Sequence, residues 1–361
     1  MKIAIVNWPI NDVGGINSWI TNFRLGCEYL GHEVQVFHLT AKTRYKCSET
    51  EEIRKTRCCI LRGVHRSYRE SPDDIIQELN SYDCVIYGST SPHPTNATLA
   101  DKGHMNWIKI YEGVTVPSCV IFHDAKWEKT NNWYPRVRGM VDWTIAAQKC
   151  FVPSMERWAD GQCQTDWEYF PMSTVALTAP AGGPRHNGVI ITQWLQWKKH
   201  KFFIPMLGDV HVPMAMFGNG IEYCYIRKTD EWKANVYDHV KQEGLPESIH
   251  RFWGFVPYED VMLSLRNAKF SIDLSFRGYT NMSHWEPFWH GTPNFVERRV
   301  MEHPHCMLPP EYVEVFDLDE SLPERLNSFV PDMDKTAKAQ QWVFDKCAPQ
   351  NVAQRILRKL T

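Results

Sequence analysis

Long apolar runs, paired cysteines and a strong net charge are all missing from this sequence of 361 residues. No apolar run approaches the roughly 18 residues that cross a bilayer, and no secretory signal is present, so we expect a cytoplasmic protein with no membrane partner. The 11 cysteines include no Cys-x-x-Cys pair. This disfavours a zinc site and a disulfide framework, and it favours reduced, buried thiols.

The dinucleotide fingerprint Gly-x-Gly-x-x-Gly is also missing, which weighs against a dehydrogenase. Instead, an apolar strand over residues 1–8 leads through Gly14 and Gly15 into a helix patterned from Ser18 to Leu30, and a second strand follows Gly31. This β-α-β opening sets two glycines at a helix N-terminus, where backbone N–H groups bind anions. Gly14 and Gly15 are therefore candidate ligand-binding residues.

Two α/β domains are expected from the length of the chain, which favours about two domains. Hydrophobic residues make up 43% of the sequence, enough for two cores. A stretch rich in Gly and Pro from Ala176 to Arg185 separates the patterned regions. We place an N-terminal domain at residues 1–175, a linker at 176–187, a C-terminal domain at 188–335 and a helical tail, broken near Pro349, at 336–361.

Residues 268–296 form the most informative segment. An apolar strand ends near Asp273, a short helix carries Glu286 near its start, and Gly291-Thr292-Pro293 ends that helix before a further strand. Strands of parallel sheets deliver such loops to a binding crevice. Glu286 is suited to binding the two hydroxyls of a ribose. The alternative is that Glu286 only caps the helix and the glycine only turns the chain.

Two other apolar strands run into charged residues. Residues 120–122 lead into His123 and Asp124, and the strand after Gly188 leads into Lys198 within a lysine-rich loop. Strand ends carry catalytic groups in open α/β sheets, and a fixed cation would stabilise a departing diphosphate. The alternatives are that Asp124 caps the following helix and that Lys198 lies on a solvated basic helix start.

Basic residues cluster twice, although the formal net charge is only −2. Between Lys42 and Arg69, nine Lys and Arg residues stand against three acids, which gives this stretch +6 and leaves −8 for the remainder. Such a stretch binds phosphates or is a solvated connecting face. After Asp124, cations alternate with aromatic rings, as suits a base taken out of its stack or a sugar packed on tryptophan. The candidate nucleic-acid contacts are Arg54, Lys55, Arg57, Arg62, Arg66, Lys126, Trp127, Lys129, Trp133 and Arg136, with Tyr45 and Tyr68 as stacking surfaces.

The order of these motifs resembles that of retaining GT-B glycosyltransferases, in particular the DNA α-glucosyltransferases of T-even bacteriophages. The likeness departs at Gln193, where the family has an arginine, and at Gly278, where the broader family has a glutamate. A changed donor pocket fits a changed sugar, so the sugar is left open. The matching segments are the glycine turn before the first helix, Gly31-His32-Glu33-Val34, His123-Asp124, Trp197-Lys198, Ser283-His284-x-Glu286 and the Gly291-Thr292-Pro293 that completes Glu-x-x-x-x-Gly-Thr-Pro.

The resemblance implies two Rossmann-like, doubly wound domains with a cleft between them, and a tail that packs back on the N-terminal domain. It implies a retaining transfer from a UDP-sugar to the hydroxymethyl oxygen of a modified pyrimidine in double-stranded DNA, with 5-hydroxymethylcytosine as the expected base. A phage-encoded enzyme of this kind would work in the cytoplasm of its host. No metal and no tightly bound cofactor are implied, and a monomer is the working expectation.

The resemblance also implies residue roles. Asp124 would take the proton of the acceptor hydroxyl, and His123 would contact the donor sugar or the acceptor. His284 and Glu286 would hold the donor. Lys198 would stabilise the diphosphate, helped by a helix N-terminus near Gly291 and Thr292 or by Arg277.

Two other functions stay open at this stage. One is a GT-B glycosyltransferase acting on a surface glycan, a lipid or a small metabolite, and the other is a non-catalytic module that binds DNA or a sugar nucleotide. A lipid acceptor would call for a basic amphipathic first helix, whereas Arg24 is the one cation between Ser18 and Leu30. The base of the donor and the choice between cytosine and uracil are not set by these motifs.

Overall fold

Two sheets of parallel strands organise the chain in a computed structural model. It divides into two units, Met1–Thr174 with Lys346–Thr361, and Val175–Asp345. The residues described are 1–8, 15–40, 63–69, 71–89, 104–123, 137–172, 185–191, 200–218, 244–246, 248–254, 256, 258–275 and 282–361.

The sheet of the first unit has the strand order β3-β2-β1-β4-β5-β6-β7, and each neighbouring pair is parallel. Because the order runs outward from β1 in both directions, the crossovers cover both faces and the sheet is doubly wound. The strands are β1 (Lys2–Asn7), β2 (Glu33–Thr40), β3 (Val64–Ser67), β4 (Cys84–Tyr87), β5 (Ser118–Phe122), β6 (Trp143–Ala146) and β7 (Gln164–Trp167).

The first helix ends at a glycine, as the sequence predicts. Gly31 has a φ of +79°, and the N–H groups of Gly31 and His32 donate to the carbonyls of Glu28 and Cys27 at 3.0 and 3.1 Å. This pair of bonds is a Schellman motif, which satisfies the last carbonyls of a helix. The helices of this part are α1 (Gly15–Tyr29), α2 (Pro72–Leu79), α3 (His104–Gly113) and α4 (Val152–Ala159), with a 3₁₀ turn at Lys149–Phe151.

The sheet of the second unit has the order β10-β9-β8-β11-β12-β13, again with parallel neighbours, so the prediction of two doubly wound α/β units is confirmed. Its strands are β8 (Asn187–Ile191), β9 (Met214–Phe217), β10 (His250–Gly254), β11 (Ala268–Asp273), β12 (Asn294–Glu297) and β13 (Glu314–Phe316). Its helices are α5 (His200–Phe203), α6 (Tyr258–Arg266), α7 (Met282–Trp289), α8 (Arg298–Met301), α9 (Leu322–Ser328) and α10 (Met333–Cys347), with 3₁₀ turns at Ile204–Asp209 and Pro310–Tyr312.

The central strands of both sheets are buried on both faces. In the second unit, Ile190 and Phe270 belong to one apolar cluster and Val189 and Ala268 to another, so the two faces of the sheet carry separate cores. This explains why these strands read as continuous apolar runs rather than alternating ones.

The last helix, α11 (Pro349–Leu360), belongs to the first unit and packs on α1. The break between α10 and α11 lies at Ala348, next to Pro349 at the helix start, where a missing N–H costs nothing. Gly26 of α1 lies so close to the Pro349 carbonyl that a Cβ there would sit 2.1 Å from the oxygen. A glycine is therefore required at this helix crossing.

The seven cysteines among the described residues are all free thiols, and Cys27, Cys84, Cys119 and Cys347 are buried. Burial raises the pKa of the Cys84 thiol to about 12, with a smaller contribution from Asp83, so this thiol stays protonated at neutral pH. Across the described ranges, no helix combines the length and the apolar character needed to cross a membrane.

Candidate functional site

Each sheet reverses its strand order once, between β1 and β4 in the first unit and between β8 and β11 in the second. In open parallel sheets, ligands bind outside the carboxyl ends of the strands at such a reversal. Lys198 and Arg277, predicted to bind a diphosphate, follow β8 and β11 and lie outside the described residues. In the second unit, Asp273 and helix α7 are the described elements that flank this reversal.

Asp273 joins the end of β11 to the first turn of α7. Its buried side chain accepts the N–H of Ser275 at 2.6 Å on one oxygen and the hydroxyl of Ser283 at 2.5 Å on the other. Nδ1 of His284, a fully buried residue, lies 3.7 Å from that second oxygen. A carboxylate taken out of water needs donors of this kind, because an unsatisfied buried charge is costly.

Glu286 is a second buried carboxylate, 4% exposed, on α7. The helix begins at Met282, so Glu286 lies at mid-helix and not near the start, where the sequence placed it. It lies three residues beyond Ser283 and therefore on the same side of the helix. A carboxylate only accepts hydrogen bonds when ionised, and two oxygens suit a vicinal diol that brings two hydroxyl donors.

The turn after α7 is a helix C-terminus. Gly291 has a φ of +66°, its N–H donates to Phe288 O at 3.0 Å, and the N–H of Thr292 donates to Pro287 O at 2.8 Å. The predicted helix N-terminus near Gly291 and Thr292 is therefore wrong. The C-terminal end of α7 lies beside Gly291. It presents carbonyl groups and a partial negative charge, which would repel a diphosphate.

Side chains from distant segments hold this turn. Nη1 of Arg185 donates to Gly291 O at 2.6 Å, and Nε2 of Gln340 donates to Trp289 O at 2.9 Å. Thr292 is fully buried and its hydroxyl donates to Leu265 O at 2.6 Å. The hydroxyl of Thr292 thus fixes the turn to α6, and a part for Gly291 and Thr292 in donor binding stays a prediction.

Aromatic stacking fixes the other side of α7. Trp285 stacks on Trp342 and Trp289 stacks on Phe344, with ring centroids 5.6 and 5.2 Å apart, so α7 is clamped to α10. At the helix end, Nε2 of the buried His290 lies 2.7 Å from Sδ of Met262. Burial, with a smaller contribution from Arg266, lowers the pKa of His290 to about 4, so this imidazole is neutral at physiological pH.

At the reversal in the first unit, a polar network lies at the end of β1. Nδ2 of the buried Asn7 donates to Oδ1 of Asn17 at 3.3 Å and lies 3.2 Å from Nδ1 of His38. Asn17 lies in the first turn of α1. This helix begins at Gly15, one of the two glycines predicted to bind a ligand. Gly14 lies outside the described residues. The network was not predicted, because it depends on β1, β2 and α1 meeting in space.

His123, the residue after β5, lies at the same edge. Its Nε2 lies 2.9 Å from Gly88 O, and its ring makes an edge contact with Trp19 at 5.9 Å. Burial lowers the pKa of His123 to about 4, opposed by the bond to Gly88. With Nε2–H donating to that carbonyl, the neutral ring presents Nδ1 as a hydrogen-bond acceptor. Asp124, the predicted base, lies outside the described residues.

Arg66 and Tyr68 are the two predicted nucleic-acid contacts that lie among the described residues. Arg66, on the edge strand β3, is half-exposed and pairs with Glu78 at 3.0 Å. Tyr68 is buried, with its ring edge-on to Trp8 at 5.9 Å, so its predicted role as a stacking surface is wrong. No local sequence pattern indicates that Tyr68 packs against Trp8, because the two residues are far apart in the sequence. The other predicted DNA contacts lie outside the described residues: Arg54, Lys55, Arg57, Arg62, Lys126, Trp127, Lys129, Trp133 and Arg136.

No group of three or more His, Cys, Asp or Glu side chains in the described part of the chain is arranged to hold a metal ion. The described side chains at the two reversals include the buried carboxylates of Asp273 and Glu286 and the neutral imidazole of His123. Sequence reasoning missed Asp273 and Ser283 as partners. The one local signal was the Asp-x-Ser order after the strand, which is typical of an Asx turn.

Comparisons with known proteins bear on the fold. No family model matches the chain, and no curated protein sequence matches it. Solved structures do match over its full length. A crystal structure of Anabaena Alr3699/HepE in complex with UDP and glucose has a TM-score of 0.67 at 14% identity, covering 100% of this chain and 99% of that one.

Two further solved structures are similar. An alpha-glucosyltransferase in complex with UDP-glucose and DNA containing an abasic site has a TM-score of 0.72 at 13% identity, covering 100% of this chain and 99% of that chain. The lipopolysaccharide outer core galactosyltransferase WaaB, in its apo form, has a TM-score of 0.59 at 14% identity, covering 99% and 100%. The chain therefore has the two-domain α/β fold that these glycosyltransferases share, which confirms the predicted fold class.

Proposed function

We propose that this protein is a glycosyltransferase that uses a UDP-sugar. The observation that carries the proposal is Glu286, a buried carboxylate held on α7 beside the strand at which the second sheet reverses its order. Nucleotide ligands bind open α/β sheets at this position. The likeness in fold to Alr3699/HepE in complex with UDP-glucose, with a TM-score of 0.66, supports uridine as the base of the donor.

Within this proposal, Glu286 accepts hydrogen bonds from the ribose hydroxyls. His284, in the first turn of α7 and 3.7 Å from the carboxylate of Asp273, contributes to the same donor site. Lys198 and Arg277 supply the positive charge that the departing diphosphate needs, and with such fixed cations no metal is required. The described end of α7 contributes no N–H donors to that diphosphate, so the lysine-rich loop carries more of this stabilisation than the sequence suggested.

The proposed acceptor is the hydroxymethyl oxygen of a modified pyrimidine in double-stranded DNA. Support comes from the likeness in fold to an alpha-glucosyltransferase in complex with UDP and a 13-mer DNA containing a HMU base, with a TM-score of 0.71 at 13% identity. The basic stretch between Lys42 and Arg69 and the interleaved cations and rings after Asp124 suit the phosphates and a flipped base. The target base leaves the stack to bring its hydroxyl to the donor.

The proposed reaction forms a bond between the acceptor oxygen and the anomeric carbon and breaks the bond from that carbon to the diphosphate. Asp124 takes the proton of the attacking hydroxyl, and UDP departs with the bonding electron pair. Attack on the face that UDP leaves retains the configuration and needs no protein nucleophile. His123 is neutral, so it offers Nδ1 as an acceptor to a hydroxyl of the sugar or the acceptor rather than a positive charge.

The test is an incubation of the full chain with duplexes containing 5-hydroxymethylcytosine, 5-hydroxymethyluracil or no modified base. Each duplex is combined with a panel of nucleotide sugars, and the digested nucleosides are weighed by mass spectrometry. We expect a single-sugar mass increment on one modified base with a UDP-sugar. If no duplex gains mass but a UDP-sugar is hydrolysed, DNA is rejected as the acceptor and the assignment as a glycosyltransferase stands.

The assignment of Asp124 is tested separately with Asp124→Asn and a control at an exposed carboxylate, Asp334→Asn. Loss of a general base lowers kcat by about 100-fold or more, while UDP binding stays at the wild-type level. The control keeps wild-type turnover. Full turnover by Asp124→Asn would remove the proposed base.

A second acceptor class, a glycan, is favoured by one observation: the likeness of the whole chain to a lipopolysaccharide galactosyltransferase. The aromatic residues after Asp124 would then pack against sugar rings. The two acceptors differ in their dependence on salt. DNA binding weakens steeply as ionic strength rises, because binding releases counterions from the phosphates and this release is less favourable at high salt. Binding of a neutral glycan changes little.

A further inference from the structure

One carboxylate bonds to both flanks of the segment between β11 and α7. Asp273 Oδ1 accepts the N–H of Ser275, on the strand side, and Oδ2 accepts the hydroxyl of Ser283, in the first turn of α7. The first bond, from residue i+2 back to an aspartate, sets the direction in which the chain leaves the strand. The second bond sets where the helix begins.

Helix α7 depends on such external bonds. It has eight residues, and helices this short are marginal without tertiary contacts. Pro287 lies inside it and has no N–H to donate to the carbonyl of Ser283, so the first turn lacks one internal bond. Described bonds from outside reach its third residue and its last residue: Nδ2 of Asn294 donates to His284 O at 3.2 Å, and Gln340 donates to Trp289 O. Asp273 is the corresponding anchor at its start.

The position of Ser283 bears directly on Glu286. The two residues are three apart and share one side of the helix, so a shift of the first turn moves the carboxylate of Glu286. The negative charge of Asp273 also lies at the N-terminal end of α7, where the helix dipole favours it.

We propose that Asp273 is a positioning residue of the donor site: its carboxylate, through the hydroxyl of Ser283, fixes the start of α7 and thereby the ribose-binding position of Glu286. This inference rests on the proposed function, because it assumes that Glu286 binds the ribose of UDP. An asparagine is a weak test of this role, because its Oδ1 can still accept the Ser275 N–H while its NH2 group donates to the Ser283 hydroxyl oxygen; an alanine removes both bonds.

The experiment measures the affinity of the full chain for UDP by isothermal titration calorimetry. The variants are Ser283→Ala, which removes the donor, and Ser283→Thr, which keeps the hydroxyl. The matched control is Ser264→Ala, because Ser264 also bonds through its hydroxyl within a helix of the same unit, to Asp260 O at 2.9 Å. Asp273→Ala, which removes both acceptors, is the direct variant.

We expect Ser283→Ala to weaken UDP binding about tenfold, because the start of α7 is then no longer fixed and UDP binding must order Glu286. Ser283→Thr and Ser264→Ala should stay within about twofold of wild type, and Asp273→Ala should weaken binding at least as much as Ser283→Ala. In steady-state kinetics, the KM for the donor should rise while the KM for the acceptor stays unchanged. A bond that supported only the fold would not produce this split.

UDP binding by Ser283→Ala equal to that of wild type would overturn the positioning role while leaving the proposed function in place. An equal rise in both KM values, together with a lower melting temperature, would also overturn it, because the hydroxyl would then serve only stability. Failure of the wild-type chain to bind UDP would reject the proposed function itself and with it this inference.

Discussion

The guanidinium of Arg355 donates to both carboxylate oxygens of Glu168, from Nε and from Nη2, each at 2.8 Å. Nη2 also donates to the carbonyl of Lys346 at 2.5 Å. This bidentate pair joins the C-terminal helix α11 to the segment that follows β7. Near it, Lys359 pairs with Asp166 on β7 itself. The last helix is thus attached to the rest of the first unit by two ion pairs as well as by its packing on α1.

Replacing Arg355 with Met should therefore destabilise the first unit. Glu168 is buried and would keep a charge without its partner, so we expect a loss of about 2 kcal/mol in the free energy of unfolding. Urea denaturation followed by circular dichroism measures this loss. Arg358→Met, on the exposed side of the same helix, is the control and should change stability by less than about 0.5 kcal/mol. Equal stability of the two variants would contradict the prediction.

Replacing Glu286 with Gln should weaken UDP binding. The substitution keeps the size of the side chain but removes the charge and one acceptor, so hydrogen bonds from two ribose hydroxyls lose about 1.5 to 3 kcal/mol, or about 10- to 100-fold in Kd. Titration calorimetry with UDP measures the change. The control is Glu302→Gln, an exposed position in the same unit. Binding of uracil alone should be the same in wild type and Glu286→Gln, because the base does not contact this carboxylate in the proposal.

Local features of this fold were predictable, and long-range partners were not. The glycine stops at Gly31 and Gly291 follow from backbone conformations that one residue type adopts easily. The location of Glu286 after a strand was visible as a motif. Its place at mid-helix was missed, although Asn281, a residue type preferred at the start of helices, stands directly before Met282 in the sequence. The bonds from Asp273 to Ser283 and from Arg185 to the turn after α7 require the folded chain. A side chain's partner is set by which segments meet, and no periodicity encodes that.

The buried His290 should make stability fall as the medium becomes acidic. Its pKa is lowered from the ordinary value of 6.5 to about 4 by burial. The unfolded chain therefore binds a proton that the folded chain does not bind between these values. The stability contributed by the neutral ring is complete above about pH 6.5 and is lost as the pH falls toward about 4. Between about pH 7.5 and about pH 5 the loss amounts to about 2 kcal/mol.

His290→Gln should remove this part of the pH dependence. Chemical denaturation at the two pH values measures it, as the difference between the change in wild type and the change in the variant. His211→Gln, at an exposed imidazole in the same unit, should keep the wild-type difference. A variant at residue 290 that loses as much stability on acidification as wild type would show that other groups account for the effect.

Gly291→Ala should cost more stability than the same substitution at Gly244. Both glycines have a left-handed φ, +66° and +67°, so each alanine pays about 1 kcal/mol for that backbone conformation. At Gly244 a new Cβ would meet nothing within 4 Å, but at Gly291 it would lie 3.3 Å from the side-chain amide of Gln340. Moving that amide weakens its bond to Trp289 O, which adds about 1 kcal/mol. The free energies of unfolding of the two variants measure the difference. Equal losses would mean that the side chain of Gln340 moves aside without cost and that the strain lies wholly in the backbone.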